Sequence, residues 1–180
     1  MKETRDIIKS VVVLLVICLV VSAALAVVNS FTAPVSAANA TERENEARRA
    51  VIPEAVDFKA VDLTLPDGVV SAYEGVDANG AALGYVFTVE GKGFDGTISV
   101  MCAIGTDGKI LRVSTLDVSS ETKTLGGRTA DSEYTDQYTG QDETLAGVNA
   151  ISGATITSTA YRGCVETAFA AFQTIREAGK

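Results

Sequence analysis

The sequence predicts an α+β protein: a single N-terminal transmembrane helix, then an extracytoplasmic domain with an antiparallel sheet packed by helices. Three observations predict this. No charged residue occurs from Ser10 to Thr41, and Val11 to Val28 is apolar apart from Ser22. Between Val69 and Leu116, successive short strand signals are joined by short links. Near the C-terminus, Tyr161, Cys164, Val165, Ala168, Phe169, Phe172 and Ile175 recur at the spacing of one buried helix face. In a chain of 180 residues this amounts to one domain and an anchor.

With its weakly polar flank to Phe31, the apolar run reaches about 20 residues, the length of a helix that crosses a bilayer. A buried core helix with no polar face would need a larger protein around it than the remaining chain supplies. Lys2, Arg5 and Lys9 precede the run, and the next basic residue is Arg43. Basic flanks stay cytoplasmic, so the N-terminus is expected inside and the bulk of the chain outside a cell membrane crossed once. The small residues Val35-Ser36-Ala37 also resemble a processing site. The run is longer than the usual signal-peptide core of about 7–15 residues, so an uncleaved anchor is expected. The resulting division is residues 1–9 cytoplasmic, 10–31 transmembrane, 32–60 linker and helix, and 61–180 outer domain.

Composition excludes several chemistries. The chain has no histidine, which rules out histidine triads and histidine-ligated metals and removes the usual neutral-pH proton shuttle. With 23 acidic against 15 basic residues, the chain is not expected to bind nucleic acid. Cys18 lies in the apolar run, and Cys102 and Cys164 fall in different elements without metal-type spacing. Two buried thiols are the expectation, rather than a disulfide.

Along the chain, Ala37 to Val51 reads as a short polar helix with Pro53 just beyond its end. Lys59 to Val76 is a turn-rich lead-in with Pro66-Asp67-Gly68, followed by a strand through Val69 to Tyr73. Stronger strand signals follow at Gly84 to Glu90, Thr97 to Ile104 and Ile110 to Leu116. Asp107-Gly108 marks a hairpin turn between the last two, and Gly91, Gly93 and Gly96 punctuate the link before Thr97. Links this short favour an antiparallel meander. Asp117 to Gly147 is polar: either a surface loop with short helical turns or a segment wrapped around a ligand, with Tyr134 and Tyr138 packing by default. The C-terminal helix should lie across the sheet, with Gly179 as its cap.

That helix begins in a cluster of hydroxyls: Ser152, Thr155, Thr157, Ser158 and Thr159. Gly153 and Ala154 allow close approach to the backbone, and the free N–H groups and positive dipole end of a helix favour an anion such as phosphate. A helix cap from Ser152 or Thr155 would occupy one or two of the hydroxyls. Residue types alone leave both the cap and the phosphate site open. A Walker loop is excluded, since no Gly-Lys-Ser/Thr closes a glycine-rich run.

The string Ser152-Gly153-Ala154-Thr155, followed by Ile156-Thr157-Ser158, resembles the flavinylation signature of the FMN-binding domain family. That family includes the G subunit of Rnf-type ion-translocating ferredoxin:NAD oxidoreductases and the C subunit of the sodium-pumping quinone reductase. Upstream, Gly84-Tyr85-Val86-Phe87, Gly91 to Ile98 and Asp107 to Ile110 resemble the family's strand and turn pattern in order. Asp117 to Gly126 occupies the place of the family's histidine followed by Glu-Thr-Pro-Gly-Leu-Gly. Here Glu121, Thr122, Leu125 and Gly126 are retained, while Ser119 replaces the histidine and Lys123-Thr124 the Pro-Gly. Asn149 stands where an acidic residue commonly precedes the signature serine. The anchor and short chain are similar to the Rnf-type G subunit.

The resemblance implies that residues 61–180 are an FMN-binding domain with FMN joined through a phosphoester to the Thr155 hydroxyl. Ser152, Gly153, Ala154, Thr157 and Ser158 would surround the attachment, and the isoalloxazine would lie against Glu121, Thr122, Leu125 and Gly126 and near Gly93 to Thr97. It also implies a flavin transferase for maturation and other membrane subunits of an Rnf-type complex as partners. In that role the flavin relays electrons outside the membrane, and no side chain acts as a catalytic acid or base. Two other readings stand beside it: a tethered flavoprotein serving an extracellular acceptor, and a non-redox structural or binding domain whose signature string is only a capped helix.

Overall fold

The computed structural model describes the backbone of residues 2–179 and the side chains of residues 9, 11–33 and 41–179. The chain divides into two compact units, Met1–Arg43 and Glu44–Lys180. The first helix, α1, is Lys2–Val51. The separate polar helix expected over 37–51 is thus the last part of α1, where strong helix formers follow one another without a glycine to stop them.

In the first unit, Val11–Ala33 has a mean hydropathy of 3.4 and no part of it is buried by protein. It is long and apolar enough to cross a membrane, and fits a single-pass anchor.

The second unit is built on a five-stranded sheet in the order β1-β2-β3-β4-β5. The strands are β1 (Asp57–Ala60), β2 (Val69–Val76), β3 (Ala82–Lys92), β4 (Thr97–Gly105) and β5 (Ile110–Asp117). Every neighbouring pair is antiparallel, as the short links predict. The turn after β4 closes through Gly105 N–H to Lys109 C=O, and Gly108 takes φ +82° there. The sequence missed β1, because its four residues are mostly exposed and carry no apolar alternation.

Both faces of the sheet are covered. On one lies α3 (Thr155–Ala178), packing Tyr161, Val165, Ala168 and Phe172 on Phe87, Val89, Ile98, Val100 and Cys102. On the other, Val51 and Ile52 at the end of α1 pack with Val86, Met101 and Ala103. Arg48 stacks 3.9 Å over the Tyr73 ring, and the Glu44 carboxylate accepts from Ser71 and Thr88 at 2.9 and 3.2 Å. Double coverage explains why β4 reads as an apolar run with no alternation. Cys102 and Cys164 are buried free thiols.

The polar stretch after β5 is a chain of short turns: a 3₁₀ turn at Gly126–Ala130, α2 (Ser132–Thr135) and a second 3₁₀ turn at Asp136–Tyr138. Tyr134 and Tyr138 pack edge-on at 5.7 Å, and each meets Tyr161 of α3 at 5.3 and 5.5 Å. All three rings are core. Gly179 caps the end of α3.

Candidate functional site

The first residue of α3 is Thr155, and the residue before it, Ala154, sits at the cap position with no side chain bonding to the helix amides. Neither Ser152 nor Thr155 caps the helix. The turn into it depends on Gly153, whose φ of +81° suits a residue without Cβ. The positive end of α3 is therefore left open to an outside acceptor.

The hydroxyls of the cluster have different fates. Thr157 and Ser158 are each only 2% exposed. Thr157 donates to Oε2 of Glu121 at 2.6 Å, and the Ser158 hydroxyl accepts the Ile151 N–H at 3.1 Å. Ser152, Thr155 and Thr159 are exposed. Of these three, Thr155 alone lines a cleft of about 340 Å³ at the helix start.

Three segments form that cleft: Phe94 from the turn between β3 and β4, the loop Glu121 to Gly126, and Gly153 to Thr157. Its rim is apolar and open, with Phe94, Leu125 and Ile156 exposed by 67%, 42% and 56%. Single exposed apolar side chains are ordinary, but three from separate segments around one cleft form a seat for a flat apolar group.

Glu121 binds the segments together. It is buried, and besides Thr157 it accepts the Asp95 N–H on Oε1 at 3.0 Å. Burial works to raise its pKa, but the Thr157 hydroxyl and the amides of Asp95, Phe94 and Gly96 outweigh burial and hold it below the ordinary carboxylate range. Glycines permit this approach: a Cβ on Gly93 or Gly126 would run into the Glu121 carboxylate.

The residues expected at the site are distributed as follows. Glu121, Thr122, Leu125, Gly126, Gly153, Ala154, Thr155 and Thr157 line the cleft. Ser152 lines a second cleft of about 300 Å³ with Arg128, Gln137 and Asn149. Ser158 lies buried beneath the loop. Phe94 and Ile156 were not singled out from the sequence. An exposed aromatic inside a glycine turn, Gly93-Phe94-Asp95-Gly96, is the signal that marks Phe94.

This arrangement suits a planar group carrying a phosphoryl tail. The apolar rim faces the plane, the open helix end favours the anion, and Thr155 offers an exposed hydroxyl between them. Among the residues lining the cleft, Glu121 is the one carboxylate, and its neighbours favour its ionised form.

The chain is similar to known proteins along most of its length. The FMN-binding domain family matches residues 93–170. The chain is 31% identical over 171 residues to the G subunit of the ion-translocating oxidoreductase complex of Methanosarcina acetivorans, covering 89% of this chain and 91% of that protein. It is also 31% identical over 189 residues to the G subunit of the Na⁺-translocating ferredoxin:NAD⁺ oxidoreductase complex of Acetobacterium woodii, covering 91% and 90%. The crystal structure of Shewanella oneidensis NqrC shares the fold, with a TM-score of 0.52 and 20% identity over 68% of this chain and 70% of that one. By its domain and by identity across nearly its whole length, this chain belongs to the FMN-binding-domain family of ion-translocating oxidoreductase G subunits.

Proposed function

We propose that the protein is the flavin-carrying electron-transfer subunit of a membrane-bound ion-translocating ferredoxin:NAD⁺ oxidoreductase complex, with FMN held by a phosphoester to Thr155. The observation that carries this reading is the exposed Thr155 hydroxyl at an uncapped helix start, beside an apolar-rimmed cleft. FMN supplies the redox chemistry. The chain's own residues fix its position: the open end of α3 offsets the phosphodiester charge, and Phe94, Leu125 and Ile156 shelter the ring from water. Thr157 and Ser158 are unsuited as acceptors because their hydroxyls are buried and engaged.

Attachment forms the bond from Thr155 Oγ1 to phosphorus. Condensation with FMN itself would release water and run uphill. A transferase would therefore need an activated flavin dinucleotide, whose phosphoanhydride would break to leave the flavin's phosphate on Thr155 while the hydroxyl proton departs with the nucleoside monophosphate. The basic residues before the span support an N-terminus in the cytoplasm and a flavin outside the cell membrane. The other membrane subunits of the complex are its electron partners.

The test is the intact mass and visible spectrum of the protein purified from its native membrane, beside Thr155→Ala. The expected result is a mass increase of FMN less water that survives denaturation and is missing from the variant. An unmodified wild-type chain in cells with an active flavin transferase would overturn the reading.

A further inference from the structure

The loop that delivers Thr155 has neither helix nor strand from Gln141 to Ala154, and Ala154 cannot cap the helix that follows. Something else must hold it. Within this loop Leu145 is fully buried and takes φ +49°, the one left-handed non-glycine among the described residues. Such a backbone persists only where its surroundings enforce it.

The enforcement comes from α3. Arg162 donates from Nη2 to the Thr144 carbonyl at 2.7 Å and from Nη1 to the Leu145 carbonyl at 3.2 Å. Its Nε is fixed on Glu166 at 2.9 Å, one turn further along the same helix. Side chains also satisfy the amides that follow. Gln141 accepts the Gly147 N–H at 3.2 Å and Gln137 the Asn149 N–H at 2.9 Å. Ser158 then takes the Ile151 N–H.

We propose that Arg162 is a positioning residue for the modification site: its fork on the Thr144 and Leu145 carbonyls, continued by Gln137, sets the path of the loop that presents Thr155 for loading. This rests on the reading of Thr155 as flavin acceptor. A planar fork grips two carbonyls at once, and a lysine ammonium does not reproduce that geometry. The effect reaches the acceptor hydroxyl through the loop, not by direct contact.

The test uses the full-length chain produced in cells that load it, and compares wild type with Arg162→Ala, Arg162→Lys and Gln137→Ala. Val113→Ala, a core change on β5, controls for lost stability alone. The first readout is the fraction of folded chain carrying the flavin mass after a short, fixed induction. The second is amide exchange at Gly147, Asn149 and Ile151, measured in the unloaded Thr155→Ala background. Arg162→Ala is expected to lower the loaded fraction about fivefold, as misplacement of a reacting group does. It should also speed exchange at the three amides about tenfold through local opening. Arg162→Lys should recover less than half of the loss, and Val113→Ala should lower thermal stability without either change.

Loading of Arg162→Ala at the wild-type rate, or unaltered exchange, would overturn the proposal while leaving Thr155 as the acceptor. Should Arg162→Ala fail to fold, Gln137→Ala decides: about twofold slower loading supports the positioning role, and no change sinks it. A wild-type chain without flavin would remove the acceptor reading and this inference together.

Discussion

Thr157 and Glu121, 36 residues apart, share a 2.6 Å hydrogen bond that ties the first turn of α3 to the loop after β5. Through the Asp95 amide, the same carboxylate reaches the turn that carries Phe94. One buried charge thus holds together the three segments of the cleft. Its oxygens are turned to protein donors, and so it fixes the walls of the cleft.

Replacing Glu121 with Gln should therefore destabilise the protein by about 1–3 kcal/mol at neutral pH, the usual effect of weakening a buried charge-assisted bond. The pH dependence follows from the direction of its shift. With the folded pKa held below the ordinary value of 4.5, the stabilisation is present above that value and is lost as pH falls through the folded one. Urea unfolding of wild type and variant should give midpoints that converge below about pH 4.5. A constant gap down to pH 3 would mean that folding leaves the Glu121 pKa unshifted.

Gly126→Ala places a Cβ against the Glu121 carboxylate and 2.8 Å from the Thr157 hydroxyl. Overpacking of this kind costs about 1–3 kcal/mol. In a Glu121→Ala background the share of that cost due to the carboxylate should vanish, while the share due to the Thr157 hydroxyl stays. A double-mutant cycle on thermal unfolding measures the coupling. Additive effects would show that the glycine is needed for another reason.

Phe94→Ala and Ile156→Ala remove exposed apolar groups, so each should change stability by less than about 0.5 kcal/mol. Their effect should instead appear in the flavin: a weaker hydrophobic shelter leaves the bound ring more open to solvent quenchers. Iodide quenching of flavin fluorescence in the loaded protein tests this. A quenching constant equal to wild type in both variants would place the ring elsewhere.

Burial raises the pKa of both thiols of the second unit, Cys164 to about 11 and Cys102 further still. Neither should be alkylated by iodoacetamide at pH 8 in the native state, and both should react after denaturation. Peptide mass mapping resolves the two positions. Labelling of Cys164 in the folded protein would show that α3 opens readily at its N-terminal half.

The meander and its crossing helix could be read from the chain because their signals are local: short glycine-marked links between apolar runs, and a helical repeat from Tyr161 to Ile175. β1 gave no such signal, since its pairing with β2 is set by what packs around it. The hydroxyl cluster drew attention to Thr155, but composition could not separate Thr155 from Thr157. That distinction depends on Glu121, which approaches only once the chain is folded. Phe94 was expected only as part of the stretch Gly93 to Thr97, for a related reason. Its importance comes from lying across the cleft from Ile156, a juxtaposition between distant segments that no window of sequence contains.

The strand order of the sheet is the order of the chain, so each strand finds its partner in the segment synthesised just before it. Thr155 opens α3, which emerges after all five strands. During synthesis, the hydroxyl, the helix end that would face a phosphate and the Thr157 partner of Glu121 all arrive together, after the five strands. A partly made or C-terminally clipped chain would lack both the seat and the cover of one sheet face. Cofactor loading at this position would thereby report that the entire domain has been built.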